Sequence, residues 1–420
     1  MVDQFHPNAM EQDFMKQHSI RSANDPKRLR RIAVAAGAIL VCASPALAAE
    51  WIPVWTASPT PDLRDGAGGV SRGFKDESVR QDIRLAGSAN ALRLRISNEL
   101  GTAPLKLEAM TVRRVGAADP TVPVLFDGAA SLTLPPGGIA ISDEVNLAAS
   151  ALADLAVSAY FPEAVAPAVR RTAVRIAPGR VEVADTASLS SRQNVISAIY
   201  GQVNKAPKVV VALGDSITEG STATLGSNHD WPSVLGQRLN AACPGGYVVV
   251  NAGISGNRLL DHGRSPSALA RLDRDVLSLP KVDYVVLLEG INDIRHGGAP
   301  DFKPGRSAQE AIMAYRQIVT RLTDHRITVI GATLTPFEGS DRFEPVAEAT
   351  RQTMNAFIRK SGLFAGVVDF DAALRDPEKP LSMLEATSRP DRLHPSDEGY
   401  ERMARSVDLS LFGCHAKERR

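Results

Sequence analysis

The 420-residue sequence has almost no net charge, few cysteines and no long hydrophobic run, and each shortage removes a class of function. With 48 Lys and Arg against 47 Asp and Glu, the formal charge is +1, so no basic field marks nucleic acid as a partner. Three cysteines and eight histidines form no zinc-like cluster, and no metal site is expected. The apolar run Ile32–Cys42 is too short for a comfortable membrane span. What remains, 44% hydrophobic and 23% charged residues, is the composition of a soluble globular protein long enough for two domains.

The short apolar run has a different reading. Lys27, Arg28, Arg30 and Arg31 precede it as a positive region, and Ala46-Leu47-Ala48 follows with the small residues of a cleavage site. Residues 1–48 are therefore expected to be a signal peptide, cut after Ala48, with translation starting at Met1, Met10 or Met15. The mature protein would be periplasmic or secreted, without a membrane span. Val41 before Cys42 argues against a lipoprotein. Cleavage removes six basic and four acidic residues, leaving a net charge of −1. It also removes Cys42, and the remaining pair, Cys243 and Cys414, permits one disulfide in an oxidising compartment.

Two rhythms follow. From 49 to 206 the segments Gln81–Leu85, Ala91–Ser97, Leu105–Val115, Val122–Phe126, Asp154–Phe161, Ala173–Ile176 and Val195–Val203 read as strands punctuated by Gly, Pro, Asn and Asp. This predicts a β-sandwich or jelly-roll-like domain. From 207 to 412 five apolar runs, Val209–Leu213, Val248–Ala252, Tyr284–Leu288, Thr328–Ala332 and Val367–Phe370, suit strands buried on both faces. Helical stretches alternate with them at Trp231–Ala242, Pro266–Ser278, Ser307–Asp324, Val346–Lys360 and Ser396–Leu411. The alternation predicts an α/β domain, a five-stranded parallel sheet with helices on both sides, followed by a tail over 413–420. Ligands of such sheets bind at the carboxyl ends of the strands.

Four groups of chemically useful residues stand at those ends. Gly214-Asp215-Ser216 follows the first strand and places a serine where a nucleophile could act. Gly253 and Gly256 follow the second and could offer backbone N–H groups to an oxyanion. Glu289-Gly290-Ile291-Asn292-Asp293 follows the third, with an amide donor in Asn292. Near the C-terminus, Asp391 precedes His394 by three residues, close enough to fix the tautomer of a general base. Taken singly, each group would also fit an ordinary turn, cap or surface pair.

Together and in this order, Gly-Asp-Ser, Gly, Gly-x-Asn-Asp and Asp-x-x-His resemble the four blocks of the SGNH (GDSL-type) hydrolases, over Pro207 to Leu411. The resemblance implies a flavodoxin-like three-layer α/β/α domain and a carboxylic ester hydrolase. It implies Ser216 as nucleophile, His394 as general base and acid, and Asp391 as its orienting partner. The oxyanion hole would comprise the Ser216 and Gly256 backbone N–H groups and the Asn292 side chain, with Asp215 and Asp293 supporting the loops. Such a mechanism needs no cofactor. Thr218 replaces the last glycine of a Gly-x-Ser-x-Gly elbow, which argues against the ordinary α/β-hydrolases. A narrower likeness, at Trp51–Pro59, Gln81–Gly101 and Leu269–Val276, is to exported bacterial arylesterase-like acylhydrolases associated with xylan degradation. The expected partner is a small-molecule or carbohydrate ester with a short acyl group, since no long apolar lid stands between the blocks. Acyl transfer, thioester cleavage with the same residues, or a non-catalytic polysaccharide-binding protein are the competing readings.

Overall fold

Alternation of buried and open side chains builds the first half of the molecule. In Leu92–Ser97, Leu92, Leu94 and Ile96 are fully buried, whereas Arg93 and Arg95 lie on the half-open face. The computed structural model describes residues 49–61, 73–116, 120–295 and 305–415, which belong to one compact unit. The expected signal peptide and its cleavage site lie outside the described residues.

The strand-rich part is an antiparallel sandwich. One sheet has the order Glu50–Thr56, Ile196–Val203, Leu92–Ser97, Ile139–Ile141. The other runs Ser190–Asn194, Val169–Pro178, Glu77–Arg84, Asp154–Phe161, Leu105–Arg114, Val122–Pro123, and Ser131–Leu134 also pairs with Leu105–Arg114. The expected strand Val122–Phe126 is cut to Val122–Pro123, although Val124 N–H still donates to the Met110 carbonyl at 2.8 Å. Strands at Glu50–Thr56, Ser131–Leu134, Ile139–Ile141 and Ser190–Asn194 were not foreseen. Ile139 and Ile141 point outward on a sheet edge, the reverse of the usual pattern, and Ser190–Asn194 contains no apolar residue at all.

The second half is a five-stranded parallel sheet. In chain order its strands are Lys208–Gly214, Tyr247–Gly253, Val282–Leu288, Thr328–Ala332 and Gly366–Val368. In space the order is second, first, third, fourth, fifth, the flavodoxin-like arrangement. Val209 to Leu213 are fully buried, as strands covered on both faces must be. The helix Ala308–Asp324 begins at a capping box between Ser307 and Glu310, and its Ala311, Ala314, Tyr315, Ile318 and Leu322 form the buried stripe.

Three element boundaries differ from expectation. Phe370 opens a helix (Phe370–Leu374) instead of ending a strand, because Asp369 accepts a hydrogen bond from Ala372 N–H as its cap. The last helix stops at Ser406, and a 3₁₀ turn at Leu409–Phe412 follows, capped by Asp408. The stretch 266–278 begins as an α-helix over Ala268–Leu272 and continues as a π-helical turn over Asp273–Leu277. No helix among the described residues is long and apolar enough to cross a membrane.

Cys243, which ends the helix Trp231–Ala242, is bonded to Cys414, with Cα atoms 6.1 Å apart. Cys414 is buried, and the bond joins residues 171 apart. Closing so large a loop restricts the unfolded chain strongly. The pair Cys243→Ser with Cys414→Ser is therefore expected to lose about 2–5 kcal/mol of stability. Thermal unfolding beside the parent checks this, and an unchanged midpoint would contradict it.

Candidate active site

The site follows from the register of three neighbouring strands. Gly214, the last residue of the first strand, is level with Gly253 of the second and Leu288 of the third. The three loops that leave these residues carry Ser216, Gly256 and Asn292 from one edge of the sheet. Close packing there requires glycine. A Cβ on Gly214 would lie 2.2 Å from the Leu288 carbonyl oxygen and from Thr218 Oγ1. A Cβ on Gly253 would lie 2.1 Å from the Glu219 nitrogen. No side chain fits either place.

Ser216 opens a one-turn helix, Ser216–Glu219, capped by Asp215, whose Oδ1 accepts from Ile217 N–H at 2.9 Å. Its own N–H is one of the first-turn donors without an intrahelical acceptor. Ser216 is 7% exposed, and its Oγ lies 2.8 Å from His394 Nε2. On the other side of the ring, His394 Nδ1 lies 2.6 Å from Asp391 Oδ2. The turn that allows this is Asp391-Arg392-Leu393, with Arg392 in the left-handed region at φ 57°. Asp391 Oδ1 accepts from the N–H groups of Leu393 at 3.1 Å and His394 at 3.0 Å. Partial burial alone would raise the Asp391 carboxyl, but the His394 ring and these two N–H groups outweigh it and hold it far below the usual carboxylate range. The carboxylate is thus ionised and aimed at one ring nitrogen, while the serine faces the other.

The loop bearing Ser216 is fastened to the loop bearing His394. Thr222 Oγ1 donates to the Pro395 carbonyl at 2.9 Å, and Arg389 Nε donates to the Thr222 carbonyl at 3.1 Å. Thr224 N–H donates to Asp397 at 2.8 Å. These bonds fix the separation of serine and imidazole across 178 residues of chain.

The two glycines of the second loop separate by their partners. Gly253 N–H donates to Asn251 Oδ1 at 2.9 Å and is engaged. Gly256, at φ 74°, has no partner for its N–H among the described residues, and its left-handed backbone is open to glycine above all. Asn292 stands in the short helix Ile291–Ile294, half-buried, and one of its amide hydrogens goes to the Asn257 carbonyl at 3.1 Å. The second hydrogen of that amide is left for a ligand. Asp293 Oδ1 and Oδ2 accept from Leu259 N–H at 3.0 and 2.9 Å, which clamps the second loop to the third.

Two residues that the sequence did not single out individually organise this edge. Arg271, buried to 1%, donates to the Gly214 carbonyl at 2.9 Å, the Ala252 carbonyl at 2.7 Å, Asn257 Oδ1 at 2.8 Å and Asp275 at 2.8 Å. Asn257 passes the restraint on, since its carbonyl receives Asn292. The signal was present in Ala268-Leu269-Ala270-Arg271-Leu272, where an arginine occupies the buried side of an apolar helix face. At this edge of the sheet burial pushes three acids upward. Asp215 rises to about 6, Asp293 rises to about 7, and Glu289 rises well above the usual range, helped by Asp215 beside it.

Residues 212–402 match the GDSL-like Lipase/Acylhydrolase family. The matched span begins in the first parallel strand and ends in the helix after His394. No curated protein matches the sequence. Among solved structures, a catalytic mutant of an acetylxylan esterase from Geobacillus stearothermophilus shares 26% identity over 51% of this chain and all of its own, with a TM-score of 0.40. A GDSL-like lipase from Bacteroides thetaiotaomicron shares 21% over 49% of this chain and 88% of its own, with a TM-score of 0.37. A carbohydrate acetylesterase family member from Sinorhizobium meliloti shares 16% over 49% of this chain and 99% of its own, with a TM-score of 0.39.

Proposed function

We propose that this chain, whose residues 212–402 match the GDSL-like lipase/acylhydrolase family, is a serine esterase that cleaves carboxylic esters through an acyl-enzyme on Ser216. The observation that carries the reading is the line Ser216 Oγ, His394 Nε2, His394 Nδ1, Asp391 Oδ2, with gaps of 2.8 and 2.6 Å. In the productive tautomer His394 Nδ1–H donates to Asp391, and Nε2 accepts the serine proton. Ser216 Oγ attacks the ester carbonyl, and the negative charge that develops on its oxygen faces the Ser216 N–H, the Gly256 N–H and the free hydrogen of the Asn292 amide. His394 then gives its proton to the departing alcohol. Water repeats the sequence on the acyl-enzyme, releasing the carboxylic acid and returning the proton to Ser216.

The substrate class follows from what stands near the site. No long apolar segment lies between the four blocks, which suits short acyl, acetyl or aryl esters. The likeness of three segments to exported arylesterase-like enzymes suits an alcohol derived from a carbohydrate. The Cys243–Cys414 bond supports action outside the cytoplasm. The test is hydrolysis of p-nitrophenyl acetate by the parent beside Ser216→Ala. Turnover in the parent and none above background in the variant is expected, and equal turnover in both would end the reading.

Asn292→Ala gives a second, graded result. It removes one oxyanion donor and leaves the nucleophile and base in place, so kcat is expected to fall by roughly 10²–10³ with KM little changed. Steady-state kinetics on the same ester measure it. A rise in KM with kcat unchanged would place Asn292 in ground-state binding instead.

A further inference from the structure

A polar cavity of about 350 Å³ lies away from the Ser216–His394 pair, where the strand-rich sandwich meets the parallel-sheet half. Its walls come from both. Trp55, Gln81 to Arg84 and Arg170 to Ala173 belong to strands of the two antiparallel sheets, while Glu219 to Gly226, Asn228 to Asp230 and Val249 to Asn251 belong to the other half. The halves are joined beside it by Thr56 Oγ1, which donates to the Asn251 carbonyl at 3.0 Å. Ser216, Gly256, Asn292, Asp391 and His394 do not line it.

The chemistry of the wall is unusual at one point. Arg170 is 8% exposed, yet among the described residues its Nε has no hydrogen-bond partner, and its side chain makes only a long bond from Nη2 to the Thr56 carbonyl at 3.4 Å. A buried guanidinium ordinarily meets a carboxylate in a close pair. Here the two carboxylates whose fields reach it, Glu219 and Asp230, form no ion pair with it. Asp230 is engaged with Ser233 and Asn251, and Glu219 receives Ser255 Oγ. The cavity wall therefore carries a guanidinium with spare donors beside carboxylate acceptors, with no ion pair between them.

We infer that this cavity is a binding site for one neutral sugar unit, whose hydroxyls accept from Arg170 and donate to Glu219. A hydroxyl is the ligand group that can do both. A carboxylate ligand would also satisfy Arg170, but an ionised carboxylate has no proton to donate to Glu219 or Asp230 on the same wall, where Arg84 and Arg171 also stand. A purely apolar ligand would leave Arg170 as it is. The volume lies at the lower end of small-molecule pockets, which fits a single pyranose ring rather than a long chain. Glu219 closes the helix that Ser216 opens, so an occupant would touch the far end of the nucleophile's own helix. The inference does not depend on the esterase reading, because it concerns binding at a separate place.

The experiment is titration calorimetry of the full chain with xylose and glucose as neutral probes and with glucuronate and acetate as charged ones. Ser216→Ala protein is used so that no ester chemistry intervenes. Saturable binding of a neutral pyranose is expected, weakened at least about tenfold by Arg170→Met and by Glu219→Gln, since each removes a hydrogen bond to a charged group. Should either variant unfold, Ser191→Trp replaces it. Ser191 is an exposed wall residue, and an indole there fills the mouth of the cavity without disturbing the core. Loss of sugar binding in that folded variant supports the site equally. Absence of binding by either pyranose to the folded parent overturns the inference, as does sugar binding that survives Ser191→Trp. Binding of the carboxylates alone, abolished by Arg170→Met, would overturn it too, by making the cavity an anion site.

Discussion

Ser216→Ala is expected to lower kcat on p-nitrophenyl acetate by about 10⁴–10⁶ while leaving the melting temperature within a degree or two of the parent. An effect of that size follows from the unit that the three side chains form. Ser216 Oγ bonds to His394 Nε2 and His394 Nδ1 to Asp391, so removing the nucleophile leaves the base with nothing to activate on the substrate side. The oxyanion donors survive, and they sustain only the small residual rate that positioning and electrostatics give a water attack. Stability stays unchanged for an equally local reason. Deleting one hydroxyl of a residue that is 7% exposed leaves no donor stranded, since His394 can turn to solvent through its remaining exposure. His394→Ala is expected to fall as far as Ser216→Ala, and the double variant no further, because members of one unit are not additive. Turnover within tenfold of the parent in Ser216→Ala would place the nucleophile elsewhere.

Much of this site was legible in the sequence, and the reason is topological. In a parallel sheet every strand delivers its following loop to the same edge, so reading five buried apolar runs also fixes where their loops meet. Ser216 and Asn292 could be assigned to one edge without any distance. Gly256 and Gly253 could not be told apart that way, since both follow the second strand. Their difference lies in a side-chain bond, Asn251 Oδ1 to Gly253 N–H, that no spacing encodes.

The sandwich was less legible because its edge strands are not obliged to alternate. Ser190–Asn194 pairs through its backbone with Val169–Pro178 and has no apolar residue to announce it. Ile139–Ile141 pairs with Leu92–Ser97 while showing its isoleucines to solvent. The interior strands, by contrast, had to alternate to bury one face, and Leu92–Ser97 and Asp154–Phe161 lie where the pattern put them. The cavity between the two halves was beyond sequence reading altogether. It depends on Arg170 and Glu219 facing one space, and three strands, Ser190–Asn194, Ile196–Val203 and Lys208–Gly214, lie between them in the chain.

The second large effect is expected at Arg271, which touches neither the expected nucleophile nor the base. Its guanidinium holds the carbonyls that end the first and second strands, and through Asn257 it holds Asn292. Arg271→Met keeps the volume and removes every donor. Asp275, 1% exposed in its side chain, would keep only Arg274, and Glu289 would lose the cation 3.8 Å away. Breaking a buried pair in this way costs about 3–5 kcal/mol, so a clear drop in melting temperature is expected. A merely structural arginine would stop there. A positioning residue adds a second effect: with the Asn257 and Gly214 anchors gone, the oxyanion donors lose their aim, and kcat falls by roughly 10–10² at temperatures where the variant remains folded. KM should move little, because the misplaced donors serve charge that exists only in the transition state. Arg271→Lys separates the two effects. A lysine restores a cation beside Asp275 and recovers part of the stability, but its single ammonium cannot reach Gly214, Ala252 and Asn257 together as the planar fork does. Its kcat should therefore stay near that of the Met variant while its melting temperature rises toward the parent. If kcat instead follows stability in both variants, or stays at the parent's value in Arg271→Met, Arg271 holds the fold and not the oxyanion site.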